Sequence, residues 1–273
     1  GGGPGGGGGG GWWSTGSKAG SSNYWKGLPK AIKIADDIVI NSGHVQAYCS
    51  QTSGDPTGEA IETKDSLTIN GGYVEANAYD DAINAGTHIA LNGGYVWAYS
   101  RGNDAVDCNG TYIHINGGVL IAKGSECGID DNADNGGTHL YITNATVVCG
   151  GGNMGAIEGT PSVSGQKYLT ISSTSAMQNG FCIQNSGSNI ITFKMGTVSG
   201  SGFTSSELIA NDDETSHDAK RVSGVFVTTP DITGSSYTYY SNFTTTGGSS
   251  WHGLYSDDTT VTPSGNGSSI TAH

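Results

Sequence analysis

The sequence predicts an all-β fold, a right-handed, single-stranded parallel β-helix of 22–23 residues per coil that tolerates loop insertions. Three features predict it. An apolar landmark returns at steps of 29, 22, 23, 23 and 28 residues, the runs between landmarks alternate with period two, and asparagine–glycine turns follow at a nearly fixed offset.

The landmarks are Ile32 in KAIKI, Ile61 in EAIET, Ile83 in DAINA, Val106 in DAVDC, Ile129 in CGIDD and Ile157 in GAIEG. Unequal steps suit a solenoid, because an inserted stretch bulges outward without disturbing the stack. In SLTIN, HIALN and YIHIN the alternate residues Leu67/Ile69, Ile89/Leu91 and Ile113/Ile115 are apolar. Past the turn, Val74, Ala76 and Ala78 alternate with Tyr73, Glu75 and Asn77. Strict alternation over short runs marks strands with one buried face. Three short strands per repeat, with no helical stretch between them, give stacked parallel coils rather than βαβ units. The turns are NSG at Asn41 and NGG at Asn70, Asn92 and Asn116, followed by NAT at Asn144. Their asparagines should stack coil on coil, each amide bonding the next, while glycine supplies the positive φ of the corner.

Leu, Ile, Val and Phe are sparse and 47 of 273 residues are glycine, a balance shared with disordered chains. The regular spacing argues for order after residue 30. The chain thus divides into a Gly-rich N-terminal segment (1–29), the β-helix (30–200) and closing β coils of the same domain (201–273).

The net charge is −13, from 24 acidic and 11 basic residues. Residues 31–135 hold 15 acids against Lys33, Lys64, Arg101 and Lys123, a net −11. Nucleic acid or an anionic membrane would be repelled, so neither is an expected partner; cations are. No apolar run approaches the ~20 residues of a membrane span, so membrane insertion is not expected either. The lack of a basic–apolar–small leader reads as a processed chain.

The acids recur at one place in the repeat. Directly after the landmark come Glu62, Asn84, Asp107, Asp130 and Glu158; two residues before it come Glu59, Asp81, Asp104 and then Cys127. Asp80 and Glu126 lie one step further out, and Asp131 follows Asp130. Coils stack about 4.8 Å apart, so these positions become columns. Two carboxylates at that spacing repel by about 3.5 kcal/mol at an effective dielectric of about 20. Flexible oxygen ligands at this density suit Ca²⁺ better than Mg²⁺, and soft metals would want His or Cys. The candidate ligands are Glu59, Glu62, Asp80, Asp81, Asn84, Asp104, Asp107, Asp130 and Asp131. The plainer alternative is a solvated acidic edge.

Beyond the turns, outward residues form rows: His44, Tyr73, Tyr95, Val119; then Gln46, Glu75, Trp97, Ile121; then Tyr48, Asn77, Tyr99, Lys123. Tyr73, Tyr95, Trp97 and Tyr99 are candidate carbohydrate contacts, since exposed aromatic patches mark interaction sites. Equally, they could be cross-strand packing beneath a loop or a neighbouring chain. The five cysteines lack metal-type spacing and read as small buried side chains or one or two disulfides.

The opening GGGPGGGGGGGWW has ten glycines in its first eleven residues. A strand without side chains becomes ordered by packing into a groove, and the open ends of a β-helix invite stacking. Gly1, Pro4, Trp12 and Trp13 are therefore candidate assembly residues for a head-to-tail homopolymer.

The run AIETKDSLTINGGYVEANAYDDAINAGTHIALNGG resembles the secreted bacterial carbohydrate-binding-domain proteins of right-handed parallel β-helix fold. Their repeated acidic motif is matched at Asp80-Asp81-Ala82-Ile83 and Asn103-Asp104-Ala105-Val106, with alanine in place of glycine. GSSYTYY and SSWHGLYS also resemble that family's closing segment. The resemblance implies calcium at the matched acids, binding of acidic, polygalacturonate-like polysaccharide, and a place on the cell surface. Cys127 and Gly155 depart from the acid column, which weakens the case for a metal site in the later coils.

The expectation is an extracellular, non-catalytic Ca²⁺-binding β-helix that binds acidic polysaccharide. One alternative is a structural subunit of a self-assembling extracellular filament. Another is a pectate-lyase-like enzyme, which needs a base beside the calcium; the chain has only Arg101 and Arg221 as arginines.

Overall fold

A computed structural model describes residues 30–49, 58–133, 139–152, 155–196 and 222–273. The candidate assembly residues Gly1, Pro4, Trp12 and Trp13 lie outside these. Period-two alternation sends Ile61, Leu67, Ile69, Val74 and Ala76 to one side of their strands, where all are buried. One such side cannot be covered by a single coil, so coils stack.

The first coil is β1 (Lys30–Ile34), β2 (Ile38–Ile40) and β3 (His44–Tyr48). The second is β4 (Glu59–Thr63), β5 (Ser66–Ile69) and β6 (Tyr73–Ala78). The third is β7 (Ile83–Ala85), β8 (His88–Leu91) and β9 (Tyr95–Ser100). The fourth is β10 (Val106–Cys108), β11 (Tyr112–Ile115) and β12 (Gly118–Lys123). The fifth is β13 (Cys127–Asp130), β14 (Leu140–Thr143) and β15 (Ala145–Gly150). β16 (Gly155–Ile157) and β17 (Ser162–Ser164) begin another, and β18 (Tyr168–Ile171) follows.

These strands form three parallel sheets: sheet A runs β1-β4-β7-β10-β13-β16, sheet B runs β2-β5-β8-β11-β14-β17, and sheet C contains β3-β6-β9-β12-β15. The predicted parallel β-solenoid is the fold observed. Its core is the narrow bore between the sheets, filled by Ile, Val, Leu and Ala.

Beyond the coils, the short helix α1 (Ala176–Asn179) leads to β19 (Phe181–Asn185) and β20 (Ser188–Phe193). β21 (Val225–Thr228) returns to sheet C and lies antiparallel between β15 and β18. The chain closes with β22 (Ser236–Tyr240), β23 (Phe243–Thr246), β24 (Ser250–Trp251), β25 (Leu254–Tyr255), β26 (Thr260–Pro263) and β27 (Ser268–Thr271). β24-β25-β20-β19-β22-β27 make an antiparallel sheet D. So Phe181–Phe193, read from sequence as part of the coils, belongs to an antiparallel sheet. Its Phe181, Ile183, Ile191 and Phe193 form a second core with Trp97, Tyr99, Ile121 and Val148 on the outer side of sheet C. All five cysteines are buried, with no disulfide among them.

The corners follow the predicted chemistry. Asn70 Nδ2 donates to Asn41 Oδ1 at 2.8 Å, Asn92 to Asn70 at 2.9 Å and Asn116 to Asn92 at 2.9 Å. Each amide satisfies the one behind it, giving a ladder along the edge. The last glycine of each turn has positive φ, +82° at Gly94, and a Cβ there would sit 2.6 Å from the Gly72 carbonyl oxygen. Close stacking and backbone conformation both require glycine. Gly94→Ala should therefore cost about 1–3 kcal/mol, read as a lower urea midpoint; an unchanged midpoint would contradict this account of the corner.

Candidate cation column

Sheet A turns its landmark residues inward and their flanking residues outward. One outward column reads Lys33, Glu62, Asn84, Asp107, Asp130 in strict register. A second begins with Lys30 opposite Glu59, and continues through Asp81 and Asp104 to Cys127. Both columns start with a lysine. Lys30 pairs with Glu59 and lies 3.5 Å from Glu62, Lys33 reaches Glu62 at 2.7 Å, and Lys64 pairs with it from the corner.

Further along, neutral donors hold the carboxylates. Asn103 Nδ2 donates to Asp80 Oδ1 and Asp81 Oδ1, both at 3.1 Å. Asn84 Nδ2 donates to Asp81 Oδ2 at 3.0 Å and also to Asp107 Oδ2. Asn109 donates to Asp107 at 2.9 Å, and the Cys127 amide to Asp104 at 2.8 Å. These bonds position the acids without cancelling their charge.

The acids are not a solvated edge. Glu59, Asp81, Asp104 and Asp107 are all buried, none more than 8% exposed. Burial, reinforced by Asp107, Asp80 and Asp104, pushes the Asp81 carboxyl well above the usual range. Asp104 moves the same way, through burial and then Asp130 and Glu126. Burial and then Asp130 raise Asp107 to about 7. Glu59 also rises to about 7, because burial outweighs its Lys30 contact. Glu62 differs: burial would raise it, but Lys33 and Lys64 prevail and take it to about 2.

A buried carboxylate cluster must bind protons or a cation. Oxygens of Glu59, Asp80 and Asp81 lie within 4.8 Å of one another. Glu59 Oε1 meets Lys30, while its buried Oε2 has no hydrogen-bond partner among the described residues. An all-oxygen set with an orphaned acceptor fits a hard divalent ion.

The predicted ligands fall into distinct groups. Glu59, Asp80 and Asp81 converge, and Asp104 and Asp107 continue their columns. Glu62 is met by three lysines, which balance its charge. Asn84 turns its amide nitrogen to the carboxylates as a strut. Asp130 accepts from the Asn132 amide at 2.8 Å and Asp131 from the Gly159 amide at 3.1 Å, so both are bound into the following loop and coil. The signal for the leading lysines was readable: KAIKI places Lys30 and Lys33 where EAIET places Glu59 and Glu62. The donor roles of Asn103 and Asn109 were missed, although Asn103 holds the repeat position of Asp80.

The aromatic row needs a larger correction. Tyr73 and Tyr95 are 45% and 40% exposed, but Trp97 and Tyr99 are buried beneath sheet D. The tyrosine rings stack on each other at 5.2 Å, and Trp251 meets Tyr95 edge-on at 5.4 Å. Trp97 stacks on His252 at 4.2 Å, and His252 Nε2 lies 2.6 Å from Glu75 Oε1. His252 holds φ at +45° in the β24–β25 hairpin, a conformation rare outside glycine that these two contacts sustain. Burial would raise Glu75, but Gln46, His252 and His44 outweigh it and hold it near about 2. Half of the row thus anchors the C-terminal hairpin. Arg101, the base a lyase reading would recruit, is 1% exposed beside the Tyr79 ring.

Fold and site together define a parallel β-solenoid with a buried carboxylate stack along one outer face. No family model, no curated protein and no solved structure matches the chain. The resemblance to β-helix carbohydrate-binding-domain proteins holds at the level of the fold.

The shifts give a pH dependence for the metal-free protein. Glu59 and Asp107, raised to about 7, keep their protons in the folded chain after the unfolded chain loses them near about 4. Their stabilisation is present below about 4 and lost as pH rises towards about 7. Glu62 and Glu75, lowered to about 2, act oppositely: theirs is present above about 4.5 and lost as pH falls towards about 2. Without metal, the melting temperature should drop by roughly 5–10 °C between about pH 5 and about pH 8. A flat or rising profile would contradict the assigned charges.

Proposed function

We propose that this chain is an extracellular, non-catalytic β-solenoid that carries Ca²⁺ in its acid column and binds acidic polysaccharide at the cell surface. The observation that carries the cation half is the convergence of Glu59, Asp80 and Asp81 around an unpartnered Glu59 Oε2. Glu59, Asp80 and Asp81 would hold the ion, which supplies the positive charge that the lysines give only at the head of the columns. Asn84 and Asn103 keep the carboxylates aimed. The glycan half is supported by the resemblance and by the exposed Tyr73 and Tyr95, with Trp251 beside them.

Calcium added to metal-free protein at neutral pH should raise the melting temperature by roughly 5–10 °C, and magnesium by less. Asp81→Asn removes one of the crowded charges. It should raise the metal-free melting temperature and abolish the response to calcium. A wild-type melting temperature indifferent to calcium would end the cation reading. Retention on immobilised polygalacturonate in calcium tests the glycan half, and passage with the void volume would refute it.

A filament subunit is the second reading, and one observation favours it. Among the described strands β1, β2 and β3 lie at the sheet edges, and Ile34 and Val39 beside that end are 41% and 56% exposed. Light scattering of the full chain over a concentration series should then show end-to-end growth; a constant monomer mass would rule it out.

A further inference from the structure

Sheet B differs from the other two flanks. Sheet A carries the acid columns and sheet C is covered by sheet D. Alternation fixes which sheet B residues face out, because Leu67, Ile69, Ile89, Leu91, Ile113 and Ile115 fill the bore. In the described strands of sheet B the outward positions hold serine, threonine, alanine, valine, histidine and tyrosine, with no carboxylate, lysine or arginine. In a chain of net charge −13, an uncharged flank six strands long is a selective surface.

Its centre is a ridge of rings. His88 on β8 meets Tyr112 on β11 at 5.1 Å, Tyr112 stacks on His114 at 4.4 Å, and His114 meets Tyr141 on β14 edge-on at 4.9 Å. Tyr141 is 40% exposed and the other three are partly exposed. The ridge crosses three successive coils, so an extended polymer lying along the solenoid axis meets a ring on each of those three rungs.

The chemistry of the ridge selects the polymer. Imidazole N–H groups match carboxylate oxygens. Ring edges and phenol hydroxyls suit sugar C–H and O–H groups. Among the described residues, charged neighbours lie at the margins. His88 Nδ1 is 3.0 Å from Ser66 Oγ, which donates to Asp65 Oδ1 at 3.1 Å, and Asp65 clusters with Asp36 and Asp37 at the corner. His114 faces Tyr112 and Tyr141. His139, which precedes β14, is 3.1 Å from the Asp131 carbonyl and stays unaltered in the variants below.

We propose that the outer face of sheet B is the polysaccharide contact, taking a uronate-bearing chain along His88, Tyr112, His114 and Tyr141. This rests on the reading that the protein binds acidic polysaccharide, and it supplies the surface that the buried half of the aromatic row cannot. The polymer meets a flank whose described outward positions carry no carboxylate, and the imidazole N–H groups donate to its carboxylates.

The test is retention of the full chain, with calcium, on immobilised polygalacturonate, a sulfated glucan and a neutral glucan. The wild type should bind polygalacturonate about tenfold more tightly than the neutral glucan. The double variant His88→Gln, His114→Gln should lose about tenfold on polygalacturonate, with its melting temperature unchanged. Tyr141→Ser, at the most exposed ring, should weaken binding without touching the charge and serves if the double variant misfolds. Wild-type retention with both variants unaffected would overturn the surface while leaving the acidic-polysaccharide reading intact. Equal retention on neutral glucan, or a preference for the sulfated polymer, would overturn the ligand class. No retention on any matrix would remove the reading itself, and the inference with it.

Discussion

Parallel stacking at strand spacing governs this molecule, because it sets every side chain directly over its counterpart one coil earlier. Where the counterparts are amides, like on like is favourable: Asn116, Asn92 and Asn70 each donate to the asparagine one coil earlier, ending at Asn41. Where they are carboxylates the same geometry is unfavourable, and Asp81, Asp104 and Asp107 are driven towards protonation. One register thus produces a stabilising ladder at the corner and an electrostatic liability on sheet A.

The liability is not spread evenly. Lysines occupy the column heads in the first coil and the second-coil corner, and they satisfy Glu62 so fully that it stays ionised. Two coils on, asparagines take over, and they orient charge without neutralising it. The column therefore grades from ion-paired to uncompensated along the solenoid axis. The graded section is where a bound cation changes the energetics most.

Much of this was legible in the sequence, for a physical reason. A solenoid converts linear periodicity into contact, so the landmark Ile61, Ile83, Val106 and Ile129 gave the true register of sheet A, and the rows through Tyr73 and Tyr95 gave that of sheet C. What failed to show was anything made by non-repeating chain. Trp97 and Tyr99 looked like outer-face residues and do point outward, but Phe181, Phe193 and Tyr237 arrive from far along the chain to cover them. Likewise Glu75 finds His252, 177 positions away, a distance no periodicity encodes.

β21 has a consequence of its own. It lies antiparallel between β15 and β18, while each strand from β3 to β15 in sheet C runs parallel to the last. A strand of reversed sense cannot template another copy of the unit before it, and the Ile157–Val222 bridge extends the interruption to sheet A. Over evolutionary time this body can lengthen by duplicating an internal repeat but not by appending one after its terminator. Homologous chains of different size should accordingly vary in the middle and keep the same tail.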